Sequence, residues 1–260
     1  TSTTSIGAIL ASSIIDSKMV WLLMFSAFST AFGFVINDLS DAELDRSAGV
    51  LRNPFSTGEL SNGKGIILAV FLLLVSTMAL SSLNLKNQLL GLIVIFLYFT
   101  YSWIVRAKAR PILDVAYHGF SLAILTTIGY AEYRSFNIVS LLLASLVFFL
   151  SSISQILQEV RDYETDRRVV RTTAILLGKK KSLILCLAFF TSAIMITIIL
   201  LFYGTIPFEI LLLSPLAYFI MVPIIQAIRN DEHESMLRKI RERRLIMIAA
   251  LIVTLILARK

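Results

Sequence analysis

The sequence predicts an all-α, polytopic membrane protein, and three observations predict it. Hydrophobic residues make up 57% of the 260-residue chain and charged residues only 16%, far from the balance of a soluble domain of this length. Apolar runs near twenty residues recur, the length a helix needs to cross roughly 30 Å of hydrocarbon. Lys and Arg gather in alternate connections between those runs, as the positive-inside rule requires of a multi-pass chain.

Nine candidate transmembrane helices lie near 6–15, 19–36, 66–83, 89–105, 112–131, 137–157, 182–203, 207–228 and 243–258. The first is too short to span and is expected to be the tail of a truncated helix. Asp16 to Lys18, Asn84 to Asn87 and Thr205 to Pro207 make tight connections. Longer polar connections follow the second, fourth, sixth and eighth segments. These hold Arg46, Arg52 and Lys64; Arg106, Lys108 and Arg110; the run from Arg161 to Lys181; and the run from Arg229 to Arg244. The opposite side keeps Lys18, Lys86, Arg134, Arg259 and Lys260. The even connections are therefore expected in the cytoplasm, with an N-terminus inside and a C-terminus outside.

Composition also excludes several chemistries. The single Cys186 rules out an internal disulfide and a Cys-based zinc site. His118 and His233 are the only histidines, so a His-rich metal site is excluded. The net charge of +7 reads as anchorage to anionic lipid headgroups rather than as a nucleic-acid footprint. The chain begins Thr-Ser-Thr-Thr-Ser and has no basic n-region with a cleavage site, so no signal peptide is expected.

Two acidic stretches carry the functional signal. Asn37-Asp38-Leu39-Ser40-Asp41-Ala42-Glu43-Leu44-Asp45-Arg46 follows directly on the second apolar segment. Gln158-Glu159-Val160-Arg161-Asp162-Tyr163-Glu164-Thr165-Asp166-Arg167 follows the sixth. Overlaid, they match Glu159 to Asp38, Asp162 to Asp41, Glu164 to Glu43 and Asp166 to Asp45. On a helix, Asp38, Asp41 and Asp45 share a face, as do Asn37, Asp41 and Asp45, and Glu159, Asp162 and Asp166. Stacked carboxylates at the mouth of a membrane helix repel one another and are costly to desolvate unless a cation neutralises them. Hard oxygen donors without sulfur select Mg²⁺ or a similar ion. Two such clusters suggest two halves of one site, suited to a diphosphate held by Mg²⁺. Arg52, Arg106, Lys108, Arg110 and Arg171 lie close in sequence to the clusters or on the same side, where guanidinium forks suit phosphate oxygens. The bland alternative is a pair of solvated helix ends with ordinary charge pairs, and positive-inside anchoring for the cations.

These residues resemble the UbiA superfamily of intramembrane prenyltransferases. The family motif N-D-x-x-D-x-x-x-D is complete as Asn37, Asp38, Asp41 and Asp45, and its D-x-x-x-D as Asp162 and Asp166, followed by Arg171-Thr172-Thr173 and Gly178-Lys179. Tyr101 to Lys108 is similar to Y-S-x-P-P-x-R-x-K but lacks the prolines, and Arg52-Asn53-Pro54 is similar to the R-P turn after the first motif. The likeness runs from the second to the seventh segment. It implies one domain over residues 1–260, with nine helices around a central cavity capped by cytoplasmic loops. It implies Mg²⁺-dependent transfer of a prenyl group from a polyprenyl diphosphate, such as geranylgeranyl diphosphate, to a lipophilic acceptor. It implies that Asp41, Asp45, Asp162 and Asp166 are catalytic and, with Asn37 and Asp38, hold the metal; the shared spacing adds Glu159 to that metal set. Tyr98, Tyr101, Tyr117 or Phe120 could face a cation-like allylic carbon or simply pack. Asp114 could orient Lys108 or Arg110, or steer the acceptor; His118, one turn further, could pack or accept a proton.

Two rivals stay open. A cation or metabolite transporter also carries intramembrane carboxylates and half-chain repeats, but its site usually lies near the midplane. A CDP-alcohol phosphotransferase uses Mg²⁺ and aspartates within a Gly- and Ala-rich motif that this chain lacks. Acceptor identity and prenyl chain length are not readable from the residues.

Overall fold

The computed structural model describes residues 2–12, 16–47, 49–167, 170–206, 208 and 214–230, and every regular element among them is helical. The chain divides into two compact units, Thr1–Phe148 and Phe149–Lys260. The first holds α1 (Ser2–Ala11), α2 (Ser17–Ser47), the short α3 (Pro54–Thr57), α4 (Asn62–Ser81), α5 (Leu85–Ser102), a 3-10 turn at Ala107–Ala109, and α6 (Leu113–Ala131). The boundary falls within α7 (Ile138–Asp166), and the second unit adds α8 (Thr173–Leu177), α9 (Lys179–Phe202) and α10 (Ser214–Asn230).

In the first unit α2 is the central post, packed by α1, α3, α4 and α5. Met19, Leu22 and Phe25 of α2 meet Ala79 and Leu80 of α4, Val94 of α5, and Leu125 and Ile128 of α6. Further along, Phe32 and Ile36 meet Ala69 and Leu72 of α4. The helices sort by size more than by polarity. On α4 the inward positions include Gly65, Ala69, Leu72, Ser76 and Ala79, whereas Ile66, Ile67, Phe71, Leu74 and Met78 point outward. Small residues let helix backbones close up, and large apolar ones are left for lipid. The crossing of α1 and α6 takes this furthest. A methyl on Gly7 would sit 2.1 Å from the Thr126 carbonyl oxygen, and one on Gly129 would sit 2.0 Å from that of Thr4.

Polar groups bind the helix ends of this unit. The buried Glu132 carboxylate accepts from Asn84 Nδ2 at 2.8 Å and Asn87 Nδ2 at 2.7 Å, so its burial is compensated. Asp16 accepts from the Met19 backbone N–H at 3.0 Å and from the Tyr133 hydroxyl. The Tyr133 bond holds Asp16 below the usual carboxylate range, while burial and that same bond push the Tyr133 hydroxyl up.

Among the described residues five helices, α2, α4, α5, α7 and α9, are long and apolar enough to cross a membrane. The expectation of nine is met only in part. The first helix is a ten-residue piece at Ser2–Ala11 rather than 6–15. α6 is long enough, but Asp114, His118 and its Ser and Thr residues dilute its apolar character. α10 has 17 residues, with Pro223 inside it. The ninth segment, 243–258, and the basic stretch beyond 230 lie outside the described residues.

Candidate active site

Both acidic motifs form the final turns of long helices. α2 runs unbroken through Asn37, Asp38, Asp41 and Asp45 to Ser47, and α7 runs through Glu159 and Asp162 to Asp166. The first motif belongs to the first unit and the second to the second unit.

Two supports grip the first motif. One is the connection between α5 and α6. Lys108 sits on the 3-10 turn, flanked by Arg106 at φ 49° and Ile112 at φ 74°, two left-handed conformations unusual for side chains of this size. Its ammonium donates to Asp41 Oδ1 at 2.6 Å, to Asn37 Oδ1 at 3.3 Å and to Ser40 Oγ. Ser102 Oγ donates to the same Asn37 oxygen at 3.3 Å. The Lys108 side chain is 12% exposed and that of Asp41 20%. Burial draws Lys108 below the usual lysine range, and the Asp41 carboxylate opposes that pull.

The second support is the turn after α2. Asn53 donates to Asp45 Oδ2 and to the Asp38 carbonyl, both at 2.8 Å. Arg46 reaches back to the carbonyls of Phe55 at 3.0 Å and Ser56 at 3.1 Å. The sequence folds locally because Asn53 caps α3 and Pro54 supplies its first residue. The Phe55 ring fills the space left by Gly65, where a methyl would come within 2.5 Å of it.

The other residues of the first unit expected at the site are placed as follows. Asp38 is within electrostatic reach of Asp41, Asp45, Arg52 and Lys108. Arg52, Arg106 and Arg110 are exposed. Asp114 is fully buried in the first turn of α6, and its carboxylate accepts from the Val115 N–H at 2.8 Å. The rings of Tyr101 and Tyr117 lie 6.3 Å apart, and His118 is half-buried on α6. Tyr98 lies inside the bundle against Thr30, and Phe120 stacks on Phe148 at 4.9 Å.

In the second unit the carboxylates find different partners. Asp162 is held by both arms of the adjacent Arg161, at 2.8 and 2.7 Å. Glu164 pairs with Lys179 at 2.9 Å and Arg167 at 3.0 Å, and Lys179 also lies over the Tyr163 ring. Asp166 is half-buried and Arg171 exposed. Glu159 is only 3% exposed and turns to the start of α8, accepting from the Ala174 N–H and from Gln155 Nε2, each at 3.0 Å. Sequence spacing placed Glu159 among the metal ligands; the structure gives it the orphan N–H of a helix that Thr172 also caps.

Among the described residues, no three His, Cys, Asp or Glu side chains converge as a metal site. The first motif nevertheless gathers oxygens around a cation, because Asn37, Ser40 and Asp41 all point at one ammonium. That donor chemistry fits a hard divalent ion. Sequence reading missed Ser40, Ser102 and Asn53 as members of the site. Only Asn53 carried a local signal, an Asn directly before Pro.

Known proteins bear on this arrangement. The UbiA prenyltransferase family matches residues 1–256. A digeranylgeranylglyceryl phosphate synthase from Saccharolobus solfataricus is 28% identical over 70% of this chain and 68% of its own length. Another from Pyrococcus horikoshii is 27% identical over 64% of this chain, so the matched stretch spans 58% of that relative. The structure of a UbiA homologue from Archaeoglobus fulgidus bound to GPP and Mg²⁺ shares the fold, with a TM-score of 0.71 at 21% identity over 97% of this chain and 93% of that one. A helical chain with apolar spans, both aspartate motifs and a family match from end to end belongs to the UbiA prenyltransferase family.

Proposed function

We propose that this protein transfers a prenyl group from a polyprenyl diphosphate to a lipophilic acceptor within the membrane, with Mg²⁺ as cofactor. The family match over residues 1–256 carries the reading. The same reading takes residues 1–260 as one catalytic domain, with the acidic helix ends on the cytoplasmic side. The two archaeal relatives, both digeranylgeranylglyceryl phosphate synthases, favour a glyceryl phosphate lipid as the acceptor over an aromatic quinone precursor.

In this proposal Asn37, Asp38, Asp41, Asp45, Asp162 and Asp166 hold the metal, which when bound neutralises charge on the departing diphosphate. Lys108 shares its ammonium between the first motif and the diphosphate oxygens, and Arg52, Arg106, Arg110 and Arg171 supply further positive charge. The C1–O bond of the donor breaks, diphosphate departs with the bonding pair, and an acceptor oxygen or carbon attacks C1. The surrounding apolar helices exclude water that would capture the allylic cation. Tyr101 and Tyr117 offer ring faces to that cation. Asp114 and His118 serve acceptor orientation or proton removal. Glu159 acts by fixing α8 beside the second motif.

The test is purified protein with Mg²⁺, labelled geranylgeranyl diphosphate and two acceptors, geranylgeranylglyceryl phosphate and 4-hydroxybenzoate. Prenylated lipid and stoichiometric diphosphate are expected with the first acceptor. Labelled donor crossing a vesicle membrane intact, with no diphosphate released, would favour a transporter.

A further inference from the structure

The turn after α2 contains a residue whose side chain is fully committed. Asn53 is 2% exposed. Its Oδ1 accepts from the Phe55 N–H at 3.0 Å, and its Nδ2 donates to Asp45 Oδ2 and the Asp38 carbonyl at 2.8 Å each. The amide cannot be flipped. A backbone N–H can only donate, so the oxygen must face Phe55 and both amide hydrogens must face the motif.

We infer that Asn53 is a positioning residue for the metal-holding carboxylate of Asp45; this rests on the proposed prenyltransferase reading. A neutral amide orients a carboxylate without cancelling its charge. Lys108 does the opposite to Asp41, bringing a full positive charge to 2.6 Å. Asn53 binds Oδ2 and leaves Oδ1 of Asp45 to a cation. Its second hydrogen bond fixes the backbone at Asp38, about two helical turns earlier, so a single amide sets both the rotamer of Asp45 and the path of α2 through the motif. Partners of this kind orient ligands and tune their affinity.

The turn has anchors besides this amide. Arg46 holds the Phe55 and Ser56 carbonyls, Ser56 Oγ donates to the Val50 and Asn53 carbonyls at 2.8 Å each, and the Phe55 ring is buried. Removing the donor while keeping a cap should therefore leave the turn docked. Serine and threonine cap helices nearly as well as asparagine, but are too short to reach Asp45.

The experiment titrates Mn²⁺ into detergent-purified wild type, N53S, N53T, D45N and N53S/D45N, following free Mn²⁺ by electron paramagnetic resonance and thermal stability in parallel. N53S and N53T should weaken Mn²⁺ binding by about 10- to 100-fold with little change in melting temperature. N53S should add almost nothing to D45N, because both act through the same carboxylate. Wild-type Mn²⁺ affinity in N53S or N53T would overturn the inference, as would an N53S effect that adds in full to that of D45N. If wild type itself bound no Mn²⁺, with or without geranylgeranyl diphosphate, the metal-dependent reading beneath it would be the one to fail.

Discussion

The two acidic helix ends share a spacing but not a setting. At the end of α2, Asp41 and Asn37 are met by groups far along the chain, Lys108 and Ser102, and Asp45 by Asn53 of the turn that follows. At the end of α7, the ion pairs join residues no more than fifteen apart and face water. Arg161 is the immediate neighbour of Asp162, and the two side chains are 40% and 32% exposed. A partly buried pair inside a hydrogen-bonded network is held in place by its surroundings, whereas an exposed pair between neighbours is screened and easily exchanged. The first motif is thus pre-organised by tertiary structure, and Asp162 of the second is paired at the surface with its own neighbour.

The largest effect expected is common to both. Chelating divalent cations should abolish prenyl transfer, and added Mg²⁺ should restore it; turnover that survives chelation would leave neither motif a metal to serve. Next comes the contrast between their cations. Lys108→Ala leaves Asp41 beside the Asn37 and Ser40 oxygens without a counter-charge, and should cost roughly 1–3 kcal/mol of stability in detergent. It should raise the KM for the diphosphate donor more than that for the acceptor. Arg161→Ala should cost less than about 1 kcal/mol. Equal losses from the two would erase the distinction drawn here between supported and exposed carboxylates.

A finer contrast lies within the second motif. Glu159→Gln keeps an acceptor for the Ala174 N–H but loses the charge. It should cost roughly 1 kcal/mol of stability and leave Mn²⁺ affinity close to wild type. A loss of metal binding comparable to that of Asp162→Asn would return Glu159 to the ligands. The smallest effect is at the far end of the first unit. Asp16 titrates lower when folded, so its contribution is complete above its ordinary value of 3.8 and is lost as pH falls below that toward the folded value. Asp16→Asn should flatten the acid limb of a melting-temperature profile and leave the profile unchanged at neutral pH.

Much of this was legible in the chain because it is written locally. An apolar run followed by aspartates at helical spacing gave α2 and α7 together with their motifs. Asn84 belongs to a predicted tight connection, and it caps α5. What escaped reading is what only folding creates. Nothing in the sequence ties Lys108 to Asp41, 67 residues away, and a basic residue beside a span reads equally well as a lipid anchor. Glu159 occupies the register position of a ligand, and only folding brings its carboxylate to the Ala174 N–H of α8. The pairing of Gly7 with Gly129 was invisible for the same reason, since a glycine in a helix declares no partner. The count of nine spans outran the structure where polar residues within α6 and the shortness of α1 weaken the hydropathy signal.

In the proposed mechanism both aspartate motifs serve the metal that would activate the diphosphate, despite their unequal settings. Single-turnover prenyl transfer by folded Asp41→Ala and Asp162→Ala protein at saturating Mg²⁺ tests it most directly. Each variant should lose at least about 100-fold in rate, with labelled diphosphate release falling in parallel. A near-wild-type rate in either variant would contradict it.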